Sequence, residues 1–126
     1  MENQDASRRA IDDIFRLINS GQVQQAEAKC RSYLNERPDD INVLGLLGAV
    51  CLNLGNLQEA RTILEKTIRL EPAFAKPYED LGVLHLQEDK PQQAVELLRQ
   101  AIQLDGSQAS AYAGLARGLM LLGKKE

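Results

Sequence analysis

The sequence predicts an all-α protein, an α-solenoid of antiparallel helix hairpins: three hairpins and one extra C-terminal helix. Three observations predict it. Residues 41–72, INVLGLLGAVCLNLGNLQEARTILEKTIRLEP, hold two helical patterns back to back. The hairpin they form recurs at a spacing of 34 residues, and a fixed period of that length is the mark of a repeat array. No stretch carries the apolar–polar alternation of a half-buried strand.

Taken in order, residues 1–6 read as a disordered N-terminus and residues 7–126 as a single array, with repeats at about 7–40, 41–74 and 75–108 and a partial repeat at 109–126. The first helix is expected from about Ser7 to Asn19, with Ile11, Ile14, Phe15, Leu17 and Ile18 apolar. It departs from the later copies: Asp13 stands where Leu47 and Leu81 stand, and Ile14 where Gly48 and Gly82 stand. A bulky Ile in place of Gly predicts wider helix spacing, and terminal repeats are often atypical because they face solvent. Ser20-Gly21-Gln22 turns the chain into a helix over about Val23 to Glu36. Pro38 stops it, because proline lacks the amide and disfavours helix at the preceding residue.

Asp40 is a good N-cap for the third helix, about Ile41 to Leu54, which is apolar almost all round. A helix without a polar face must be covered on most sides. Gly55-Asn56 suits a C-cap followed by an N-cap, with Glu59 placed to complete a capping box. The amphipathic helix from Leu57 to Leu70 follows. Pro77 and Pro91 fit helices from about Ala75 to Glu88 and from Pro91 to Leu104, because each lies in a first turn. The last helix is expected from about Ala109 to Leu122, with Gly123 opening another turn.

The register is carried by small and bulky residues in phase. A shift of 34 turns Leu47-Gly48 into Leu81-Gly82, Ala60 into Ala94, Leu64 into Leu98 and Leu70 into Leu104; the reverse shift turns Gly55 into Gly21 and Ala60 into Ala26. With Leu44, Leu47, Gly48, Cys51, Gly55, Ala60, Leu64, Leu70 and Pro72 in this order, the chain resembles the tetratricopeptide repeat (TPR) family over about residues 7 to 123. The resemblance implies a right-handed solenoid whose first helices line a concave, partner-binding face.

Composition narrows the function classes. The net charge is −3 with both signs interspersed, and no long basic run points to nucleic acid. No apolar run reaches membrane-spanning length, and the polar N-terminus is no secretory signal. The expected location is cytoplasmic, or periplasmic if a leader has been removed. Cys30 and Cys51 are the only cysteines, and their register makes them buried thiols that act as small hydrophobes.

No catalytic constellation is present in the sequence. His85 is the only histidine, and its register makes it a packing residue where the family usually has an aromatic. Asp12-Asp13, Asp39-Asp40 and Glu79-Asp80 are adjacent carboxylates, and neighbours on a helix diverge by about 100 degrees, too far for a paired acid–base site. The reading is therefore not an enzyme, with no cofactor and no metal. What remains is surface.

By the resemblance, the concave face comprises Ile11, Phe15, Ile18 and Asn19; Asn42, Gly45, Ala49, Leu52 and Asn53; Lys76, Glu79, Val83, Leu86 and Gln87; and Arg117 beside Ala113, Met120 and Leu121. Gly45, Ala49, Glu79 and Val83 stand where many relatives carry donors that clamp a peptide's carboxylate end, so that mode of binding is not expected. The expected function is a protein–protein interaction module with an apolar groove for a partner segment; against it stands mutual packing of these apolar residues. The alternative is an N-terminal targeting or oligomerisation domain of a larger enzyme, for example a bacterial sulfotransferase- or glycosyltransferase-like protein. The last helix has no covering partner, and Leu119, Met120, Leu121 and Leu122 are consecutive apolar residues. They predict that the chain is cut from a longer protein or self-associates there as a two-fold dimer.

Overall fold

A computed structural model describes residues 2–125, and side chains over 5–124. Among the described residues there are seven α-helices and no strand: α1 Glu2–Asn19, α2 Val23–Glu36, α3 Ile41–Asn53, α4 Leu57–Leu70, α5 Ala75–Gln87, α6 Pro91–Leu104 and α7 Ala109–Lys125. The chain divides into two compact units, one up to Ile63 and one from Leu64 onward, so that α4 runs through the division.

The turns inside the hairpins are built alike. Among the described residues Gly21, Gly55 and Asp89, spaced by 34, are those of positive φ, at 79, 83 and 59°. After each, an amide reaches back over the helix end: Gln22 N–H donates to Leu17 O at 2.8 Å, Asn56 to Cys51 at 2.9 Å and Lys90 to His85 at 2.8 Å. This is the Schellman closure, which satisfies the last carbonyls of a helix and needs one left-handed residue. Glycine takes that conformation without strain, and Asp is among the few other residues that tolerate it.

In the first unit α1, α2 and α3 pack on one another. Ile14, Ala26, Cys30 and Val43 are wholly buried. Asp40 caps α3 by accepting from Asn42 N–H and Val43 N–H at 3.1 and 3.3 Å, and Ser7 Oγ and Tyr33 OH donate to its other oxygen at 2.9 Å each. These bonds tie the start of α1 to the start of α3. The first helix begins at Glu2 and not near Ser7, with Arg9 Nε donating to Asp5 O at 3.4 Å; of the six residues expected to be disordered, all but Met1, which lies outside the described residues, are helical. Asp13 departs from the repeat pattern by pairing with Lys29 of α2 and Arg16, each at 3.3 Å.

In the second unit α5, α6 and α7 pack together. Leu86, Ala94 and Leu98 form a buried cluster with Leu115 and Leu121 against it. Leu98 is wholly buried because two glycines make room for it. A Cβ on Gly82 would lie 2.7 Å from Leu98 Cγ, and one on Gly114 would lie 3.2 Å from Leu98 Cδ2. Tyr78 OH donates to Pro72 O at 2.8 Å, and Tyr112 OH repeats the bond to Gly106 O at 3.0 Å. The turn expected at Gly123 does not form: α7 continues through it to Lys125, since glycine permits a left-handed turn without imposing one.

Gly82→Leu should lower stability by about 1–3 kcal/mol, because crowding against Leu98 outweighs the gain in helix propensity over glycine. Urea unfolding followed by circular dichroism measures it; a midpoint unchanged from the parent would contradict the close approach.

Candidate functional site

The second unit carries a cleft of about 470 Å³. Ala73, Phe74 and Ala75 form one wall at the entry to α5, Lys76 and Glu79 stand on α5 itself, and Ala101, Leu104, Asp105, Gln108 and Ala111 close it from the end of α6 and the start of α7. The walls are largely apolar, and two of the charged lining residues pair with each other. Lys76 Nζ lies 3.1 Å from Glu79 Oε2 and 3.6 Å from Asp80 Oδ1, one helical turn away. Ser110 Oγ of α7 also donates to Glu79 Oε2, at 2.9 Å.

Glu79 and Asp80 are buried, at 5% and 6% exposure, and Asp80 Oδ2 accepts no hydrogen bond. Burial pushes the Asp80 carboxyl up to about 6, against the pull of the Lys76 ammonium and with the push of the Glu79 carboxylate. Burial also lowers the Lys76 ammonium, but the carboxylates of Asp80 and Glu79 outweigh it and leave its pKa raised. Asp105 is held below the ordinary carboxylate value by hydrogen bonds, first from the Ser107 hydroxyl at 2.6 Å, then from the Ser107 amide at 3.0 Å and Gln108 at 3.2 Å.

Of the residues expected on a partner-binding face, the cleft gathers Lys76 and Glu79. Elsewhere in the second unit Gln87 and Arg117 are exposed, and Val83 is half-buried. In the first unit Phe15 is 48% exposed, Asn19, Asn42 and Asn53 are exposed, Ile11, Ile18 and Ala49 are half-buried, and Gly45 is buried. Two expected groove residues are core instead. Leu52 is 9% and Leu86 5% exposed, and Leu86 packs on Ala94 and Leu98 with Leu121 against them. Leu86 is buried because α5 is covered by both α6 and α7.

The sequence did not point to Phe74, Leu104, Asp105 or Gln108 in the cleft. The repeat offered a signal, since Ser110 lies 34 residues after Lys76, in the same register of the next copy.

A second cluster has no room for a ligand. Carboxylate oxygens of Glu27 and Glu59 and the Cys51 sulfur lie within 4.8 Å of one another, a spacing that could hold a metal ion. The Arg31 guanidinium fills that place: its Nη2 lies 2.7 Å from Glu27 Oε2, 2.6 Å from Glu59 Oε1 and 3.9 Å from Cys51 Sγ. The two free cysteines are wholly buried, and burial pushes the Cys30 thiol to about 12 and the Cys51 thiol to about 11, so both stay protonated at neutral pH.

The raised Asp80 pKa sets a sign for stability. Between the ordinary carboxylate value and about 6 the folded chain binds the proton more tightly than the unfolded chain, so stability falls as pH rises through that window. Asp80→Asn should stabilise the fold by about 1–3 kcal/mol at pH 7.5 and by nothing near pH 4. Thermal melts at the two pH values check this; an equal effect at both would remove the buried charge as its cause.

Comparison with known proteins agrees with this architecture. Two family models, each described as Tetratricopeptide repeat, match residues 17–79 and 75–108. Over 66 residues the chain is 36% identical to Cellulose synthase operon protein C of Komagataeibacter xylinus, covering 52% of this chain and 5% of that protein. It is 34% identical over 74 residues to Probable biofilm formation methyltransferase WspC of Pseudomonas aeruginosa, covering 59% of this chain and 18% of that one. The chain thus spans less than a fifth of either relative. The crystal structure of the Sgt2 TPR domain from Aspergillus fumigatus matches it with a TM-score of 0.87 at 16% identity, over 95% of this chain and 81% of that one. With helix pairs repeating every 34 residues and family matches reaching from Leu17 to Gln108, this chain belongs to the tetratricopeptide repeat family.

Proposed function

We propose that the chain is a protein–protein interaction module, without chemistry of its own, that holds a partner's protein or peptide segment on the face carried by the first helix of each repeat. The observation that carries this is the open, apolar-walled cleft beside Lys76 and Glu79. In the first unit Ile11, Phe15, Ile18 and Ala49 supply apolar contact and Asn19, Asn42 and Asn53 polar contact; in the second Val83 supplies apolar contact and Gln87 and Arg117 polar contact. No helix among the described residues is long and apolar enough to cross a membrane. Two buried free thiols suit the reducing cytoplasm.

Affinity capture followed by mass spectrometry tests the reading. Phe15→Glu with Val83→Glu should lose the captured partner while melting temperature and helical content stay unchanged. Charges at Leu52 and Leu86 would not serve, since both are buried. Capture indifferent to the double substitution would reject the face.

The relatives favour a second reading beside the first: the array as a targeting or oligomerisation domain within a larger enzyme, as the length and name of the WspC relative suggest. The α7 surface bears on oligomerisation. Tyr112, Leu119 and Met120 are 48%, 43% and 64% exposed, and a second copy packed on them would form a two-fold dimer. Light scattering across a concentration series should show dimers that Met120→Lys dissociates; a strictly monomeric parent would exclude this contact.

A further inference from the structure

We propose that the cleft of the second unit receives a basic side chain, lysine or arginine, from the partner segment. The inference rests on the reading of the chain as a partner-binding array and names the chemistry of one anchor residue. Lys76, Glu79 and Asp105 line the cleft, and their formal charges sum to −1. Asp80, one residue on and bonded to the same Lys76, brings the local sum to −2. The single cation is already shared between two carboxylates, at 3.1 and 3.6 Å. Asp105 is fixed by three hydrogen bonds from Ser107 and Gln108, so its charge stays at the rim. The end of α6, with Leu104, adds the negative pole of a helix dipole to the same wall.

The shape fits such a guest. Phe74, Leu104 and the alanines would cover the aliphatic stem of a long basic side chain, and the charged tip would meet Glu79. A carboxylate guest would face Glu79 and Asp105 directly, and like charges brought together in a desolvated cleft repel.

Titration of the isotope-labelled full chain by nuclear magnetic resonance tests the proposal. The probes are three acetylated, amidated pentapeptides: Ala-Leu-Arg-Leu-Ala, the same peptide with neutral citrulline for Arg, and the same with Glu. The Arg peptide should shift the amides of Lys76, Glu79, Gln108 and Ala111 and bind at least about tenfold more tightly than the citrulline peptide. Raising the salt should erase that difference, and Glu79→Gln should abolish it. Salt dependence in the parent keeps the test decisive if that variant fails to fold. Equal binding of Arg and citrulline peptides, tighter binding of the Glu peptide, shifts confined to other surfaces, or no shift at millimolar peptide would each overturn the proposal. Such failure alongside partner capture that depends on Phe15 and Val83 would sink the basic anchor alone; loss of that dependence would sink the wider reading.

Discussion

One left-handed residue every 34 positions is the constraint on which the hairpins depend. Gly21, Gly55 and Asp89 each let an amide fold back over the end of a helix, and the next helix must then run against the one before. Once the chain is reversed, the approach distance is set by small residues. Ala26, Ala60 and Ala94, in the same register, are all wholly buried. The residues four places on, Cys30, Leu64 and Leu98, are wholly buried as well. Turn and contact thus recur with one period, and each repeat inherits its geometry from a few backbone positions.

The candidate site follows from this order and works against stability. The start of α7 comes to lie beside α5, which places Ser110 within 2.9 Å of Glu79. That contact, with Lys76, accounts for the burial of one carboxylate. The neighbouring Asp80 has one oxygen without a hydrogen bond, a cost the rest of the fold must offset. The first unit treats its charges differently. Arg31 sits between Glu27 and Glu59 and meets both, so that cluster is satisfied from within.

Most of the fold was legible in the sequence, because the helical period, the turn glycines and the first-turn prolines are local signals. Asp40 as a cap and the placing of Pro91 needed no tertiary knowledge. The site was less legible. Leu86 looks like a groove residue by register, yet its burial depends on the cover given by α6 and α7. The cleft joins residues 73–76 to residues 104–111, and only the packing of α5, α6 and α7 brings those segments together. The bond from Ser7 to Asp40, 33 residues away, is likewise one that no local pattern encodes.

The three tyrosines give the junctions an optical label. The chain has no tryptophan, so its near-ultraviolet fluorescence comes from Tyr33, Tyr78 and Tyr112, with phenylalanine adding little. Each hydroxyl is bonded at a different link between hairpins: Tyr33 to the Asp40 carboxylate, Tyr78 to the Pro72 carbonyl and Tyr112 to the Gly106 carbonyl. Emission from any one of them, with the other two changed to phenylalanine, would report the opening of its own link, and the wild-type chain sums the three.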